Sequence, residues 1–404
     1  MQRPTFPALN IKYEVDMKNM TRRQMIKSGG TAAAALAIGP NIVAKRIISS
    51  EGKRDRDAKI PLIHITDLYH PPQDPDDLLD FATVMALDEF DLKGGALDIT
   101  RKFLIAAPEG FDIPRDPGFV PVTQLSYLTG RAVPVAMGPI EPLKNPKDPA
   151  TGLPSQQEAA IRMVLDILSG SSQPVVISSV GSARIITASY NREPDLLKEK
   201  VAYVVLNAGS TGGPKTEWNA ELDAEAYVGL WRSGLPIRWY PPSTESGAFD
   251  PASDRGTYWK ASHAELFKSI SDPLRAWITF TFTGNWRGDI IRALSELGKG
   301  SVWQDLLAGE RNMWSTASLV MAAGRVLART PEGWRFVPQS GAGGYEIWPW
   351  RLDRIEASVN DNGQVSWKQS ANHGNTMLFG RRGGTGYGVA MAEAFNALLR
   401  GMHV

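Results

Sequence analysis

Two clusters of oxygen-bearing side chains stand out in this chain. The apolar, β-branched run from Ile60 to Thr66 (IPLIHIT) ends abruptly in Asp67, and Asp74, Asp76 and Asp77 follow within ten residues. Several carboxylates in a small space repel one another unless a cation or protons hold them. An all-oxygen donor set points to a hard ion, Ca²⁺ or Mg²⁺, rather than zinc. The plainer role for Asp74 to Asp77 is to cap the helix behind them, because Asp favours the N-cap and first turn. The local pattern alone does not separate the two. The second cluster is Glu217-Trp218-Asn219, reached through the glycine-rich stretch Asn207 to Gly213. One carboxylate and one amide on such a loop suit the grip of vicinal hydroxyls; the competing reading is a surface loop with an incidental N-cap.

The elements around these residues show how the chain would position them. Ile60 to Thr66 reads as a buried strand, and Leu78 to Leu87 as a helix behind the acidic loop. Further strands are expected at 92–100, 132–137, 174–180 and 202–206, with helices at 121–128 and 156–168. Strands separated by helices imply βαβ units and an open, mainly parallel α/β sheet, whose carboxyl edge is where ligands bind. The second half changes character, with all twelve tryptophans between Trp218 and Trp367. Helices are expected at 223–233, 272–282, 290–297 and 316–327, and a strand at 235–240. A hairpin turns around Asn362-Gly363, and a last helix runs over 389–399. The tryptophans read mainly as core filling, with aromatic platforms for sugars or bases as the alternative. Gly383 to Gly388 reads as a flexible turn: it lacks the Lys-Ser/Thr ending, and no strand-to-helix setting is expected there.

Composition removes several chemistries. Lys+Arg 44 against Asp+Glu 43 gives a net charge of +1, so no global field favours nucleic acid or an anionic membrane. With no cysteine, disulfide frameworks, thiol nucleophiles and zinc-thiolate sites are excluded. Five histidines without HxH or HxxxH spacing argue against an imidazole-rich metal site. Thr21 to Lys27 carries paired arginines, and a short mild apolar run, Thr31 to Ile38, leads to a small-residue cleavage site near Ile42-Val43-Ala44. This layout resembles a twin-arginine export signal over residues 1–45, with a polar linker at 46–59. It implies a periplasmic or secreted bacterial protein without a stable membrane span. Met17 is a second candidate start.

Taken together, the two clusters resemble the inosine/uridine-preferring nucleoside hydrolases, calcium-dependent N-ribohydrolases. Thr66-Asp67 and Asp76-Asp77 match that family's first acidic motif. Val175 to Tyr190 matches the strand, glycine turn and helix that follow. Val204 to Gly209, Glu217-Trp218-Asn219 and Asp223 to Ala226 match its later strand, Glu-x-Asn and helix. The resemblance covers roughly 60–399 and implies a single Rossmann-like domain, set at 60–404, with a C-terminal β-hairpin and helix. It also implies a Ca²⁺ ion, with Mg²⁺ the poorer fit, held by Asp67, Asp77, the carbonyl of Val180 and the group at position 315. Asp67 would act as general base, Asp76, Glu217 and Asn219 would hold the sugar, and Trp314 would stack on the base.

The departures are specific. Ile65 replaces the first Asp, the loop before Asp76 is longer by about five residues, and Trp314-Ser315 stands where the family has His-Asp. Ser315 or Asp74 would then stand in for the missing carboxylate, and His263 or His373 for the missing acid. The expected activity is hydrolysis of N-glycosidic bonds in small nucleosides or related glycosides. A catalytically reduced carbohydrate- or ribosyl-binding protein of the same fold is the alternative. Homo-oligomerisation is left open.

Overall fold

Seven consecutive buried residues, Ile60–Thr66, form β1. A strand covered on both faces must lie inside a layered α/β sheet rather than at its edge. The computed structural model describes residues 59–404 except 102, 104–114, 214–216, 286–287 and 371–373. The export signal, most of the linker and His373 lie outside these residues.

Six strands continue the pattern: β2 (Phe90–Leu97), β3 (Val135–Met137), β4 (Val175–Ser179), β5 (Val201–Leu206), β6 (Ile237–Trp239) and, after an insertion, β14 (Thr376–Arg381). With β1 they form a block of seven strands that pair in parallel with one another. The insertion holds β7 (Trp259–Ser262) with β8 (Glu310–Met313), and a small sheet of β9 (Arg325–Thr330), β10 (Gly333–Pro338) and β11 (Glu346–Ile347). The hairpin β12 (Trp350–Val359) and β13 (Val365–Gln369) adds antiparallel strands beside β14. The nine-stranded sheet runs β13-β12-β14-β6-β5-β4-β1-β2-β3. Within it, the order 3-2-1-4-5-6 reverses direction between β1 and β4, and a crevice opens outside the strand ends at such a switch point. The open, mainly parallel sheet with a C-terminal hairpin and helix is therefore as expected.

Helices cover both faces. On one side Asp76–Ala86, Phe119–Thr129, Asp272–Phe282 and Gly386–Arg400 share a core containing Phe81, Trp277 and Phe395. On the other, Ser155–Gly170, Arg184–Arg192 and Ala224–Arg232 pack around Ile161, Ile185 and Trp239. Tryptophan is largely core filling: Trp239, Trp259 and Trp277 are completely enclosed.

Three expectations are corrected. The helix expected over 316–327 stops at Ala322, because Gly324 adopts a left-handed φ of 75° and Arg325–Thr330 becomes β9. Over 290–297 only Ala293–Glu296 is helical. The glycine-rich 383–388 segment does connect a strand, β14, to a helix, which starts at Gly386. Gly383 is there for close approach: a Cβ would lie 2.0 Å from the Ala252 carbonyl oxygen.

Candidate functional site

At the end of β1 the chain leaves the sheet at Asp67, which is buried although its neighbours are largely carboxylates. The helix Asp76–Ala86 begins without a side-chain cap, its N-cap position being Pro75. Asp76 and Asp77 therefore sit in the first turn and turn inward rather than capping. Thr66 Oγ1 donates to Asp77 Oδ1 at 3.0 Å, tying this helix to the strand end. Asp67 and Asp77 are themselves hydrogen-bond neighbours. Asp74 is used otherwise, in an ion pair with Arg311 at 2.8 Å.

The neighbouring strand ends add groups. Asp98 follows β2, is buried, and accepts a 2.6 Å bond from the Ser182 N–H. Gly181, after β4, lies against both carboxylates: a Cβ there would be 2.9 Å from Asp98 Oδ2 and 3.1 Å from Asp67 Oδ1. Sequence reasoning absorbed Asp98 into a longer strand. The available signal was that β2, like β1, ends its apolar run in Asp.

After β5, Glu217 closes the glycine-rich loop on itself. Its carboxylate accepts from the N–H groups of Gly209 at 2.7 Å, Asn219 at 3.0 Å and Ala220 at 3.3 Å. It is thus the N-cap of Trp218–Leu222 as well as a candidate sugar ligand. Asn219 donates both amide hydrogens, to the carbonyls of Val180 at 2.8 Å and Asn207 at 2.9 Å. The β4 and β5 ends are thereby joined, and the Asn219 Oδ1 is the atom turned to other partners. Trp218, 45% exposed, stands over Phe103 with ring centroids 5.6 Å apart, and Phe103 meets Tyr69, two residues past Asp67.

Behind these loops Arg184 is fully buried. It pairs with Asp223 at 2.8 Å and donates to the carbonyls of Ile99, Pro139, Ile140 and Leu222. One guanidinium therefore fixes the segments leaving β2, β3 and the Glu217 loop, as its planar fork of donors permits.

Trp314 and Ser315 open the helix Thr316–Ala322. The Trp314 indole donates to the Ala248 carbonyl at 2.8 Å, and its rings meet Phe249 and Tyr258. Ser315 is buried and hydrogen-bonds Asp80, a residue of the Asp76–Ala86 helix that sequence reasoning passed over. His263 is occupied elsewhere, its Nδ1 against the Leu306 carbonyl at 2.8 Å and its ring among Phe267 and Phe282.

Electrostatics define the site. Burial, then the neighbouring Asp98, pushes the Asp67 carboxyl up. Asp76 is raised by burial and by Asp74, and Asp77 by burial and by Asp67. Burial lifts Asp80 to about 8 and Glu217 to about 7. The Glu217 charge also raises Asp67, so the two clusters of the sequence occupy one electrostatic neighbourhood. Buried oxygens of Asp67, Asp80 and Asp98 have no hydrogen-bond partner. Among the described residues no group of three or more His, Asp or Glu side chains stands arranged to hold a metal ion. The orphaned oxygens and the purely oxygen donor set nevertheless fit a hard dication, which would draw the carboxylates together and relieve their repulsion.

No protein-family model matches the chain. It is similar to the pyrimidine-specific ribonucleoside hydrolase RihA of Salmonella schwarzengrund, 29% identical over 133 residues that make up 28% of this chain and 42% of the relative. RihA of Escherichia coli O127:H6 is 27% identical over the same shares. The chain thus spans under half the length of the curated relatives it matches. Among solved structures, a purine-preferring ribonucleoside hydrolase from Gardnerella vaginalis aligns with a TM-score of 0.47 and 14% identity, over 84% of this chain and 99% of that one. An inosine-uridine preferring nucleoside hydrolase from Bacillus anthracis aligns at 0.46 and 13%, over 85% and 99%. The curated relatives are nucleoside hydrolases, the family that the motifs resemble, so that recognition is borne out.

Proposed function

We propose that this chain, a divergent nucleoside hydrolase, cleaves N-glycosidic bonds of ribonucleosides or related glycosides. The observation that carries the reading is the meeting of Asp67, with its orphaned buried oxygen, and the Glu217 loop at the β1/β4 switch point.

Cleavage of an N-glycoside passes through an oxocarbenium-like transition state and needs a nucleophile and an assisted leaving base. Asp67 and Asp77, with the Val180 carbonyl and the Ser315 hydroxyl, would hold a Ca²⁺ ion, which supplies a water of lowered pKa. Asp67, whose buried Oδ1 has no partner, would take a proton from the attacking water as general base. Asp76, buried beside Asp67, accepts a hydrogen bond from a sugar hydroxyl. Glu217 and the Asn219 Oδ1 hold the remaining hydroxyls, and the surrounding negative field stabilises the cationic sugar. Trp218 with Phe103, and Trp314 with Tyr258, offer aromatic faces for the base. The export signal read from the sequence would deliver this activity to the periplasm or beyond. Lysine at both Arg22 and Arg23 should retain the chain in the cytoplasm, as fractionation would read.

The test is calorimetry with Ca²⁺ and a nucleoside panel, with base release followed in parallel. Release by the wild type and its loss in Asp67→Asn support the reading. Ligand binding without release under any condition would sink it in favour of a binding protein.

A further inference from the structure

The segment between β6 and β7, residues 240–258, leaves the strand next to β5 and runs along the Glu217 loop. The Ser243 N–H donates to the Gly209 carbonyl at 3.4 Å, and the Thr211 N–H donates to the Ser243 carbonyl at 3.2 Å. Thr211 also donates its hydroxyl to Glu245 at 3.4 Å, and a Cβ at Gly212 would run into the same carboxylate. A tight turn follows, in which Thr244 and Gly247 exchange backbone bonds of 3.2 and 2.9 Å. Beyond it the Ala248 carbonyl accepts from the Trp314 indole at 2.8 Å. The segment therefore bridges the two parts of the candidate site. It runs from the Glu217 loop to the start of the Thr316–Ala322 helix, which packs on the Asp76–Ala86 helix.

Arg381, fully buried at the end of β14, holds this segment from behind. Its guanidinium donates to the carbonyls of Gly256 at 2.7 Å, Pro251 at 3.2 Å and Tyr258 at 3.4 Å, and its N–H donates to the Asp254 carbonyl at 2.8 Å. A planar fork of donors spread over three carbonyls makes a fixed wall rather than a hinged lid. On that wall Phe249 is 63% exposed, the only exposed large hydrophobic side chain of the segment. Its ring is nevertheless held, with centroids 5.6 Å from both Tyr258 and Trp314 at interplanar angles of 74° and 72°. Neither neighbour is stacked on it, so a flat face stays open. One ring is too small for a protein interface, which needs a contiguous apolar patch, but it suits a planar group stacked with an offset. We propose that Phe249 determines substrate specificity by stacking on the planar leaving base, with Tyr258 and Trp314 as its backing. This inference rests on the hydrolase reading above and moves the base contact of this wall from Trp314 to Phe249.

Initial rates of the full chain with inosine, adenosine, cytidine and uridine test it, together with inhibition by D-ribose, which shares the sugar but carries no base. Phe249→Ala should raise nucleoside KM about fivefold, the loss expected for one aromatic stack. It should leave kcat within about twofold of wild type, because the contact serves substrate and transition state alike. Ribose inhibition and the melting temperature should not change, the ring being exposed. Phe249→Tyr should keep the wild-type KM, whereas Phe249→Leu, apolar but not flat, should behave like Phe249→Ala. An unchanged nucleoside KM in Phe249→Ala would overturn the proposal. So would an equal weakening of ribose inhibition, which would make Phe249 a support of the sugar site. If the wild type releases base and Phe249→Ala matches it, only this inference fails. If the wild type releases base from none of the four nucleosides, the hydrolase reading fails and this inference with it.

Discussion

Without a cation, the buried acids should make this protein less stable as pH rises through neutrality. Asp80 holds its proton to about pH 8 and Glu217 to about pH 7 in the folded chain, both because of burial. In the unfolded chain both ionise near pH 4. A carboxyl whose folded pKa is raised contributes stability that is complete below its unfolded pKa and is lost as pH rises through the folded one. Histidines act oppositely: burial lowers His64 to about 3 and His70 to about 4, and also lowers His263. That contribution is partly spent at pH 6.5 and gone by about pH 7.5, as the unfolded imidazoles lose their protons. From pH 6.5 to 8 the carboxyls dominate, the remaining imidazole contribution offsetting about 1 kcal/mol. Each carboxyl still protonated there costs about 1.4 kcal/mol per pH unit. Integrated over the window, Asp80 and Glu217 together remove about 2 to 3 kcal/mol. Asp67, Asp76 and Asp77 are raised as well and push the same way. Urea denaturation of the EDTA-treated protein at intervals across the window measures this, and saturating Ca²⁺ should flatten the dependence. Stability in EDTA that stays level or rises from pH 6.5 to 8 would refute the account of the cluster.

Three further outcomes follow from other contacts. Arg184→Met should cost about 3 to 5 kcal/mol in urea denaturation, because Asp223 is left buried without its partner; a loss below about 1 kcal/mol contradicts the bracing role. Asn219→Ala removes the donors to the Val180 and Asn207 carbonyls and should lower stability by about 1 to 3 kcal/mol. Nucleoside KM should rise in that variant, and an unchanged KM would confine Asn219 to the scaffold. Trp218→Ala, at an exposed ring, should leave stability within about 0.5 kcal/mol of wild type while raising nucleoside KM severalfold. Unchanged kinetics would remove Trp218 as a base platform.

Much of the architecture was legible because it depends on burial. β1 is buried on both faces and reads as a run of apolar residues, and the parallel core follows from repeated strand–helix alternation. Asp67, Asp76, Asp77 and Glu217 were legible because acids at strand ends and helix starts are conspicuous. Asp98 and Asp80 were hidden inside segments already read as strand and helix. Their significance comes from what faces them: Gly181 across one gap and Ser315 across another. The dual use of Asn219 was hidden too, since the carbonyls it joins come from different strand ends. The first three residues of β9, Arg325 to Leu327, read as the end of the preceding helix, because the Ala- and Leu-containing run across Gly324 carries no clear change of period.

The margins of the large sheet bear on how copies of this chain could meet. One border is β3, three residues long with Pro134 before it and Pro139 soon after. The other is β13, which sets exposed Ser366, Lys368 and Gln369 along its length. Short, proline-flanked or charged borders are poor templates for strand pairing between molecules. Self-association, where it occurs, would therefore run through helices and loops rather than by lengthening the sheet. The chain is guarded at both borders against the ribbon-like stacking that an open sheet invites.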